Sequence, residues 1–278
     1  MITVFTPTYN RKKELENLYV SLLNQTDKDF EWLIIDDGST DDTKKFISKL
    51  KKENKINVKY IYKENGGKQS AYNKGLEEAN GDIFLCIDSD DILDKKAIKR
   101  IKSDFKTLSK NSAGFAYVQG YIQEKNKIIG TDFGNLETAY YYDIYGKYNV
   151  KGDKLIVLKT NIAREYPFPL INGEKFVAEA LVYNRIASNY SFDLSNEILA
   201  YKEYLPGGYS DNYFNLVKRN PKGNTLYFRE KYDIEPTIYN IYGYILFSIY
   251  SKYTFKKIIS NHPAKIKVLL IYLPTLFV

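Results

Sequence analysis

The sequence contains very few of the residues that build covalent or metal-held scaffolds. Among its 278 residues there is one cysteine, one histidine, one methionine and one tryptophan. The single cysteine, Cys86, cannot form an intramolecular disulfide, and its apolar surroundings predict an inert thiol in a reducing compartment. No charged leader with a hydrophobic stretch follows Met1, so we expect no signal peptide and a cytoplasmic location.

Long hydrophobic runs are missing, and the C-terminal part also lacks acidic residues. The apolar runs at 241–247 and 268–273 fall well short of the roughly 20 residues that span a bilayer. Residues 236–278 contain five lysines and neither Asp nor Glu, and so contribute +5 of the net charge of +7. Such a basic, aromatic-rich segment is typical of a helix on an anionic membrane surface. Helices packed on the main domain, with their lysines in water, would explain it equally well.

The first hundred residues alternate between strand and helix patterns. Short apolar or β-branched runs predict four strands, at 2–6, 32–35, 58–62 and 83–87. Between them apolar residues recur at helical spacing, as around Leu15 and Leu18, and Ser39 or Thr40 is placed to cap the second helix. Repeated βα units predict an α/β fold with a mostly parallel sheet flanked by helices.

Beyond about residue 111 the alternation weakens. Further strands are predicted at 115–122, 127–130 and 155–158, and helices at 174–187 and 211–217. No linker composition interrupts the chain before about residue 220. We therefore expect one domain over residues 1–220 and a helical, basic and aromatic extension over 221–278.

A polar segment follows each of the four predicted strands. These segments are 7–10, 36–39, 65–68 and 88–90. Because ligands of open α/β sheets bind outside the carboxyl ends of the strands, the four loops should converge and form a site. The acids of the last loop repel one another unless a cation lies between them, and hard divalent metals prefer carboxylate oxygens. Taken alone, residues 88–91 equally indicate a polar turn.

Two common phosphate-binding motifs are absent from this edge. No G-x-G-x-x-G follows the first strand, and the glycines at 66–67 have the wrong spacing for a P-loop. Nucleotide features nevertheless remain, because Tyr9 offers a ring for stacking and Asp37 an acceptor for a base N–H. Asp88 can hold ribose hydroxyls while Asp90 binds a metal. By itself, the turn at Asp37 more often caps a helix.

Together, four motifs resemble the N-terminal half of the family 2 glycosyltransferases in order and spacing. They are TPTYNR at 6–11, IIDDGSTD at 34–41, NGGK at 65–68 and DSDD at 88–91. The resemblance implies a Rossmann-like GT-A fold with a nucleotide-sugar-binding half over 1–110 and an acceptor-binding half over 111–220. It further implies a nucleotide-diphosphate sugar donor, most often a UDP-sugar, a divalent cation (Mn or Mg), and inversion at the anomeric carbon.

Carried over residue by residue, the resemblance assigns seven positions to the nucleotide: Thr6, Pro7 (through its backbone), Tyr9, Asp37, Lys68, Asp88 and Ser89. The metal falls to Asp90 or Asp91, with the choice between them open. Inversion also needs a base for the acceptor hydroxyl, and the segment 172–179 matches the family's position for it, with Glu174 first and Glu179 second. A first-turn acid favoured by the helix dipole would look the same.

Further features narrow the expected activity. The Q-x-x-R-W signature of processive synthases is missing, which favours addition of one or a few sugars, and residues 204–211 resemble a loop over the donor or acceptor. His262, the only histidine, lies in the basic tail and is not assigned to the metal. A tyrosine-rich segment, 140–148, can line an acceptor site, although generic packing explains it equally well.

We therefore expect an inverting glycosyltransferase that moves a sugar to a hydroxyl of a glycan or lipid-linked glycan in surface polysaccharide synthesis. It would be cytoplasmic and peripheral on the membrane through residues 236–278, and no feature indicates nucleic-acid binding. A sugar-phosphate nucleotidyltransferase is one alternative, although residues 7–11 lack the glycine- and arginine-rich loop that it requires. A non-catalytic nucleotide-sugar-binding or scaffolding protein at the membrane is the other.

Overall fold

A computed structural model describes residues 1–202 and 213–275. The strands in these ranges are β1 Ile2–Thr8, β2 Phe30–Asp36, β3 Asn57–Tyr62, β4 Ile83–Cys86, β5 Ile92–Leu93, β6 Ser112–Tyr121, β7 Thr138–Ala139, β8 Lys154–Lys159 and β9 Ser191–Lys202. The helices are α1 Lys12–Leu23, α2 Thr43–Glu53, α3 Lys68–Glu78, α4 Ala97–Asp104, α5 Tyr141–Tyr145, α6 Thr160–Glu165, α7 Glu179–Ala187, α8 Tyr213–Arg219, α9 Pro221–Ile234, α10 Ile238–Tyr250, α11 Phe255–Ser260 and α12 Lys265–Thr275.

The chain divides into two compact units. The first unit comprises Met1–Pro167 and Arg185–Glu203, and the second comprises Phe168–Asn184 and Tyr204–Val278. This division differs from the boundary predicted near residue 220, because the second unit also includes a segment from the middle of the chain.

All the strands belong to the first unit and form one sheet. Their order is β3-β2-β1-β4-β8-β6-β9-β5, with β7 beside β9. The pairs among β1, β2, β3 and β4 are parallel, as is β6 with β9, whereas β8, β5 and β7 run antiparallel to their neighbours. The predicted α/β fold with a central, mostly parallel sheet flanked by helices is confirmed.

Alternate residues of β1 and β2 face opposite sides of the sheet, as the strand period requires. On one side they form a single buried core with helices α1, α2 and α4, whose members include Val4, Trp32, Ile34, Leu15, Leu18, Ile47 and Ile98. On the other side Phe5 stacks on Phe84, with ring centroids 5.2 Å apart, and meets Tyr72 of α3 edge-on at 5.8 Å. Gly75 makes this packing possible, since a Cβ there would approach the Phe5 ring to 2.5 Å.

Several predicted elements begin at other residues. Neither Ser39 nor Thr40 caps α2, which starts at Thr43 after Asp42. The helix predicted from residue 174 starts only at Glu179. The strand predicted at 127–130 is reduced to one bridge between Gly120 and Ile128. The 12-residue β9 escapes prediction because its sequence, SFDLSNEILAYK, is interrupted by polar residues.

The second unit has a small core of its own among the last helices. Ile241, Tyr244 and Ile245 of α10 pack with Ile258 of α11 and Val268 of α12. Helices therefore fill most of the predicted basic and aromatic extension. None of the helices in the described ranges is both long and apolar enough to cross a membrane.

Candidate functional site

The four predicted loops meet at one edge of the first unit. Because β3, β2, β1 and β4 are parallel neighbours, their carboxyl ends lie side by side. Hydrogen bonds tie the first loop to the second: the Asn10 side-chain oxygen accepts from the Thr40 N–H at 2.7 Å, and Ser39 Oγ accepts from the Asn10 N–H at 2.9 Å. Asn10 adopts φ +52°, a left-handed conformation that asparagine tolerates better than most residues.

Asp37 joins the second loop to the third. Its carboxylate accepts from the N–H groups of Gly66 and Gly67 at 2.9 and 2.7 Å and from Lys63 Nζ at 2.6 Å. Gly67 has φ +91° and directly precedes α3, so this carboxylate fixes the turn from which Lys68 starts. In this structure Asp37 shapes the loop, and its contact with a nucleotide base stays a prediction.

The β1 residues assigned to the nucleotide differ in exposure. Thr6 is fully buried and its hydroxyl accepts from Trp32 Nε1 at 3.0 Å, which argues against a direct contact of this side chain with a nucleotide. Pro7 is buried within the strand, so only its backbone can serve the predicted role. Tyr9, at the end of the strand, is 50% exposed and has a ring face available for stacking.

The acidic loop 88–91 is surrounded by cationic side chains. Lys68 Nζ lies 2.6 Å from Asp88 Oδ1, and Arg11 Nη1 lies 3.7 Å from Asp90 Oδ2. Within this loop, Ser89 and Asp91 are buried. The structure thus brings together the metal and nucleotide residues predicted in this loop and Lys68 from the third loop.

Burial and mutual repulsion separate the pKa values of the three carboxyls. Burial would raise the pKa of Asp88, but Lys68 and Lys202 outweigh it and hold that pKa below its usual range. Burial and the charge of Asp88 raise the pKa of Asp90. The pKa of Asp91 is raised well above its usual range by burial, despite the opposing charge of Lys202.

Lys202 is a member of this cluster that the sequence analysis missed. It is the last residue of β9, its Nζ lies 3.3 Å from Asp153 Oδ2, and the charges of Asp91, Asp88 and Asp153 raise its pKa despite burial. No local motif marks it, because strand pairing alone carries β9 to the acidic loop. Only a prediction of the β5–β9 pairing could have found it.

In the second unit, the two candidate bases occupy different environments. The Glu174 carboxylate accepts from the N–H groups of Lys222 and Gly223, each at 2.8 Å. These residues follow Pro221 in the first turn of α9, so Glu174 caps the N-terminus of another helix. Glu179 is exposed and is the first residue of α7.

The carboxylates of the acidic loop suit a hard divalent cation in their chemistry. Across residues 1–202 and 213–275, however, no cluster of three or more His, Cys, Asp or Glu side chains could hold a metal by itself. The residues present therefore fit a metal that takes few protein ligands and completes its shell with phosphate oxygens and water. His262 is buried in the second unit between the rings of Tyr232 and Tyr244.

The start of the tyrosine-rich segment lies away from the acidic loop. Tyr140 stacks on Tyr142 with ring centroids 5.6 Å apart, and the adjoining Ala139 pairs with Phe192. β9 bulges between Ser195 and Ala200, and on its partner β6 Phe115 lies opposite Asp193 and Tyr121 opposite Lys202. The stretch from Phe115 to Tyr121 spans roughly 20 Å at about 3.3 Å per residue. This distance argues against an acceptor site formed by Tyr140 and Tyr142 beside the donor loops. The predicted loop 204–211 lies outside the described residues.

Comparisons with known proteins agree with this architecture. A model of glycosyl transferase family 2 matches residues 3–160. An uncharacterized glycosyltransferase of Rickettsia conorii is 39% identical over 129 residues, covering 46% of this chain and 20% of the relative. A GalNAc(5)-diNAcBac-PP-undecaprenol β-1,3-glucosyltransferase of Campylobacter jejuni is 34% identical (43% and 37% covered), and the poly-β-1,6-N-acetyl-D-glucosamine synthase of Staphylococcus aureus is 31% identical (52% and 34%). The chain thus spans about a fifth to two fifths of the length of these relatives.

Solved structures with the same fold cover nearly the whole chain. S. aureus TarS 1–349 in complex with UDP-GlcNAc superposes with a TM-score of 0.65 at 17% identity, covering 98% of this chain and 86% of that one. The mannosyltransferase PcManGT of Pyrobaculum calidifontis, in complex with GDP-Man and Mn²⁺, gives a TM-score of 0.60 at 15% identity, covering 99% and 79%. These likenesses support the GT-A fold. Since the family model matches more than half of the chain, this protein belongs to glycosyl transferase family 2.

Proposed function

We propose that the protein transfers a sugar, with inversion, from a nucleotide-diphosphate donor to a hydroxyl of a glycan or lipid-linked glycan. The observation that carries this proposal is the convergence of four polar loops at the carboxyl edge of β3-β2-β1-β4, with cationic side chains facing a loop of carboxylates. A UDP-linked hexose or N-acetylhexosamine is the donor we favour. The glucosyltransferase of C. jejuni, the poly-N-acetylglucosamine synthase of S. aureus and the UDP-GlcNAc complex of TarS support that choice.

The donor roles divide among residues of the first unit. The exposed Tyr9 ring stacks on the base, and the Asp37 turn holds the third loop around it. Asp88 binds the ribose hydroxyls, while Lys68 is placed to neutralise phosphate charge once it exchanges its ion pair with Asp88 for the donor.

A divalent cation, Mn or Mg, completes the proposed site. When bound, it neutralises charge that develops on the leaving diphosphate. Asp90 is the ligand we prefer, because Asp91 is buried whereas Asp90 is partly exposed. The family resemblance and the Mn²⁺ complex of PcManGT support a metal of this kind.

We assign the general base to Glu179 rather than to Glu174. In the reaction, the acceptor oxygen bonds to the anomeric carbon, and the bond from that carbon to the diphosphate oxygen breaks with its electron pair. The hydroxyl proton goes to a carboxylate, which must be able to reach it. Both oxygens of Glu174 accept backbone N–H groups of α9, which ties this carboxylate to that helix. Glu179, at the start of α7, is the more exposed of the two to solvent.

The decisive experiment is a thermal-shift and hydrolysis screen of UDP-, GDP- and dTDP-sugars with and without Mn²⁺. Stabilisation by one nucleotide class that requires the metal, together with slow release of its diphosphate, is the expected result. Binding without any turnover across a broad acceptor panel would favour the non-catalytic alternative. Release of pyrophosphate from a nucleoside triphosphate and a sugar phosphate would favour the nucleotidyltransferase.

We further propose that the second unit docks on an anionic membrane surface through α12. Val268 is buried in the unit's core, but Ile266, Leu269 and Leu270 point outward, and Ile266 and Leu270 are 76% and 72% exposed. This i, i+3, i+4 spacing defines one apolar helix face, and Lys265 and Lys267 flank it. The absence of acids from residues 236–278 leaves the lysines free of local competition for lipid phosphates.

Sedimentation with vesicles of phosphatidylglycerol and phosphatidylcholine tests this surface. Binding should require phosphatidylglycerol, fall as salt rises, and drop at least ten-fold in the double variant Ile266→Ser/Leu270→Ser. Val20→Ser is the matched control, since Val20 is an exposed aliphatic residue of the first unit. Equal binding of all three proteins would contradict the assignment. A concentration-dependent dimer lost in the double variant would instead identify a second copy as the occupant.

A further inference from the structure

The positive charge of Lys202 lies next to the carboxylates of the acidic loop 88–91, where it opposes the binding of a cation. We propose that it is a built-in counter-ion of the acidic loop 88–91 that competes with the divalent cation, so that the cation binds chiefly together with the donor diphosphate. This inference rests on the proposed function for the identity of the donor and deepens it by stating how the metal is recruited.

Strand pairing places Lys202 beside Asp91. β5 and β9 are antiparallel, with Ile92 opposite Tyr201 and Leu93 opposite Ala200. Continuing this register by one residue puts Asp91 opposite Lys202. Side chains directly opposite in an antiparallel pair have Cβ atoms about 5 Å apart, which brings the ammonium within reach of this carboxylate.

A second carboxylate holds the same ammonium. Asp153, immediately before β8, has its Oδ2 3.3 Å from Lys202 Nζ. The Lys202 side chain is 22% exposed, and the charges of Asp91 and Asp88 also act on it. Partial burial limits solvent screening, so this charge is felt by the whole loop.

Cations offset most of the carboxylate charge of the cluster. Its carboxylates are Asp88, Asp90, Asp91, Asp153 and Glu14, which pairs with Arg11 at 3.3 Å, and its cations are Arg11, Lys68 and Lys202. Five carboxylates and three cations leave a net charge of −2 when every carboxylate is ionised, and Lys202 thus weakens the attraction of the cluster for a divalent ion. The donor diphosphate brings additional negative charge and phosphate oxygens, and so supplies the attraction that the protein alone lacks.

Removal of the Lys202 charge should therefore tighten metal binding by the free protein. Coulomb interaction of a unit charge with a divalent ion at about 6 Å in a water-like medium corresponds to roughly ten-fold in affinity. A residue whose role was to bind the diphosphate would behave differently, since its loss would weaken nucleotide binding and leave the metal affinity of the free protein unchanged.

The test measures Mn²⁺ binding to the full chain by electron paramagnetic resonance, without nucleotide. Lys202→Met should bind Mn²⁺ about ten-fold more tightly than the wild type, and Lys202→Arg should match the wild type. Lys102→Met is the matched control, because Lys102 is 21% exposed and also pairs with two carboxylates, those of Asp27 and Asp29. Circular dichroism verifies folding, and Lys202→Gln replaces the Met variant if that variant does not fold.

Repetition of the titration with UDP separates this inference from the proposed function. The wild type should bind Mn²⁺ more tightly in the presence of UDP, and the advantage of Lys202→Met should shrink. One outcome would overturn this inference but not the proposed function. In it, UDP increases Mn²⁺ binding by the wild type as expected, but without UDP the Lys202→Met or Lys202→Gln protein binds Mn²⁺ no more tightly than the wild type. A wild-type protein that binds no Mn²⁺ even with UDP would remove the metal role from the proposed function as well.

Discussion

The two units of the molecule handle charge in opposite ways. The first unit concentrates acids and cations in one cluster, where Arg11, Lys68 and Lys202 offset most of the carboxylate charge. Helices α10–α12 of the second unit contain lysines and no acids, and their core encloses a single titratable imidazole, His262. A cluster of mixed charge can rearrange around a charged ligand, whereas a one-signed surface attracts an oppositely charged partner without rearranging.

The largest predicted effect distinguishes the two glutamates of the second unit. Glu179→Gln should lower turnover by roughly 10²–10⁴, the usual contribution of a general base, while the protein stays folded because the residue is exposed. Initial rates with the donor found in the nucleotide-sugar screen measure turnover, and urea unfolding verifies the folded state. Full activity in Glu179→Gln would show that Glu179 is not the general base.

The acidic loop of the first unit supplies the next effect. Asp90→Asn should lower donor turnover by on the order of 10²–10³. The variant loses the proposed ligand of the cation that stabilises the negative charge developing on the leaving diphosphate in the transition state. Asp82→Asn is the control, since Asp82 is an exposed acid whose ion pair within residues 1–202 and 213–275 is with the N-terminal ammonium. Equal rates for wild type and Asp90→Asn, measured at saturating Mn²⁺, would remove the metal role from Asp90.

Much of the first unit could be predicted from sequence because its information is local. Each strand of the parallel half is a short run rich in apolar and β-branched residues, and a polar loop follows it closely, so strand pairing assembles the site. Lys202 shows where this reasoning stops, since its place depends on pairing between β5 and β9. A two-residue strand such as β5 has no periodicity from which that pairing could be inferred.

Glu174 shows a second limit. Its sequence position and charge resemble those of a first-turn helical acid, and it does interact with a helix N-terminus. That helix is α9, which starts at Pro221, so the contact is distant in sequence. Local propensity identified the type of interaction and not its partner.

Acid should destabilise the second unit through His262. Burial lowers the pKa of this imidazole to about 4 from an ordinary 6.5, with Arg229 also lowering it and Asp233 opposing. Below pH 6.5 the imidazole takes up a proton in the unfolded chain but stays neutral in the folded unit down to about pH 4. The free energy of unfolding should therefore fall over this range, by about 2 kcal/mol after allowance for solvent screening. Hydrogen exchange of α10 and α11 amides across this range measures the loss.

His262→Asn is the informative variant for that experiment. The asparagine oxygen can replace Nδ1 as the acceptor of the Ala264 N–H, a 3.1 Å hydrogen bond, but it does not titrate. Its exchange rates, after correction for intrinsic chemistry, should be independent of pH between 6.5 and 4. A pH dependence as steep as that of the wild type would place the acid sensitivity on another group.

Glu174 should contribute a smaller amount to stability. Glu174→Gln removes the negative charge from the N-terminus of α9 and leaves one of the two N–H groups without an acceptor, at a cost of about 1 kcal/mol. Turnover by the folded protein should not change. Urea unfolding and initial rates should be measured for both Glu174→Gln and Glu179→Gln, because we expect the first to lose stability and the second to lose turnover. A loss of turnover at unchanged stability in Glu174→Gln would reverse our assignment.

The smallest effect is an acid response of the first unit in a lower pH window. Lys59 and Lys74, each with Nζ 2.9 Å from a Glu78 oxygen, lower the pKa of that carboxyl to about 2. Since the folded pKa is depressed, the stabilisation is present above the ordinary value of about 4.5 and is lost as pH falls toward 2. Solvent screens these partly exposed pairs, so the loss should stay below about 1 kcal/mol and shrink further in 0.5 M salt. Hydrogen exchange of α3 amides at pH 5 and 3, at low and high salt, checks this. Burial is the largest cause of the His262 shift, so the α3 response should depend on salt more strongly than that of the second unit. A salt-independent α3 response would contradict the ion-pair origin.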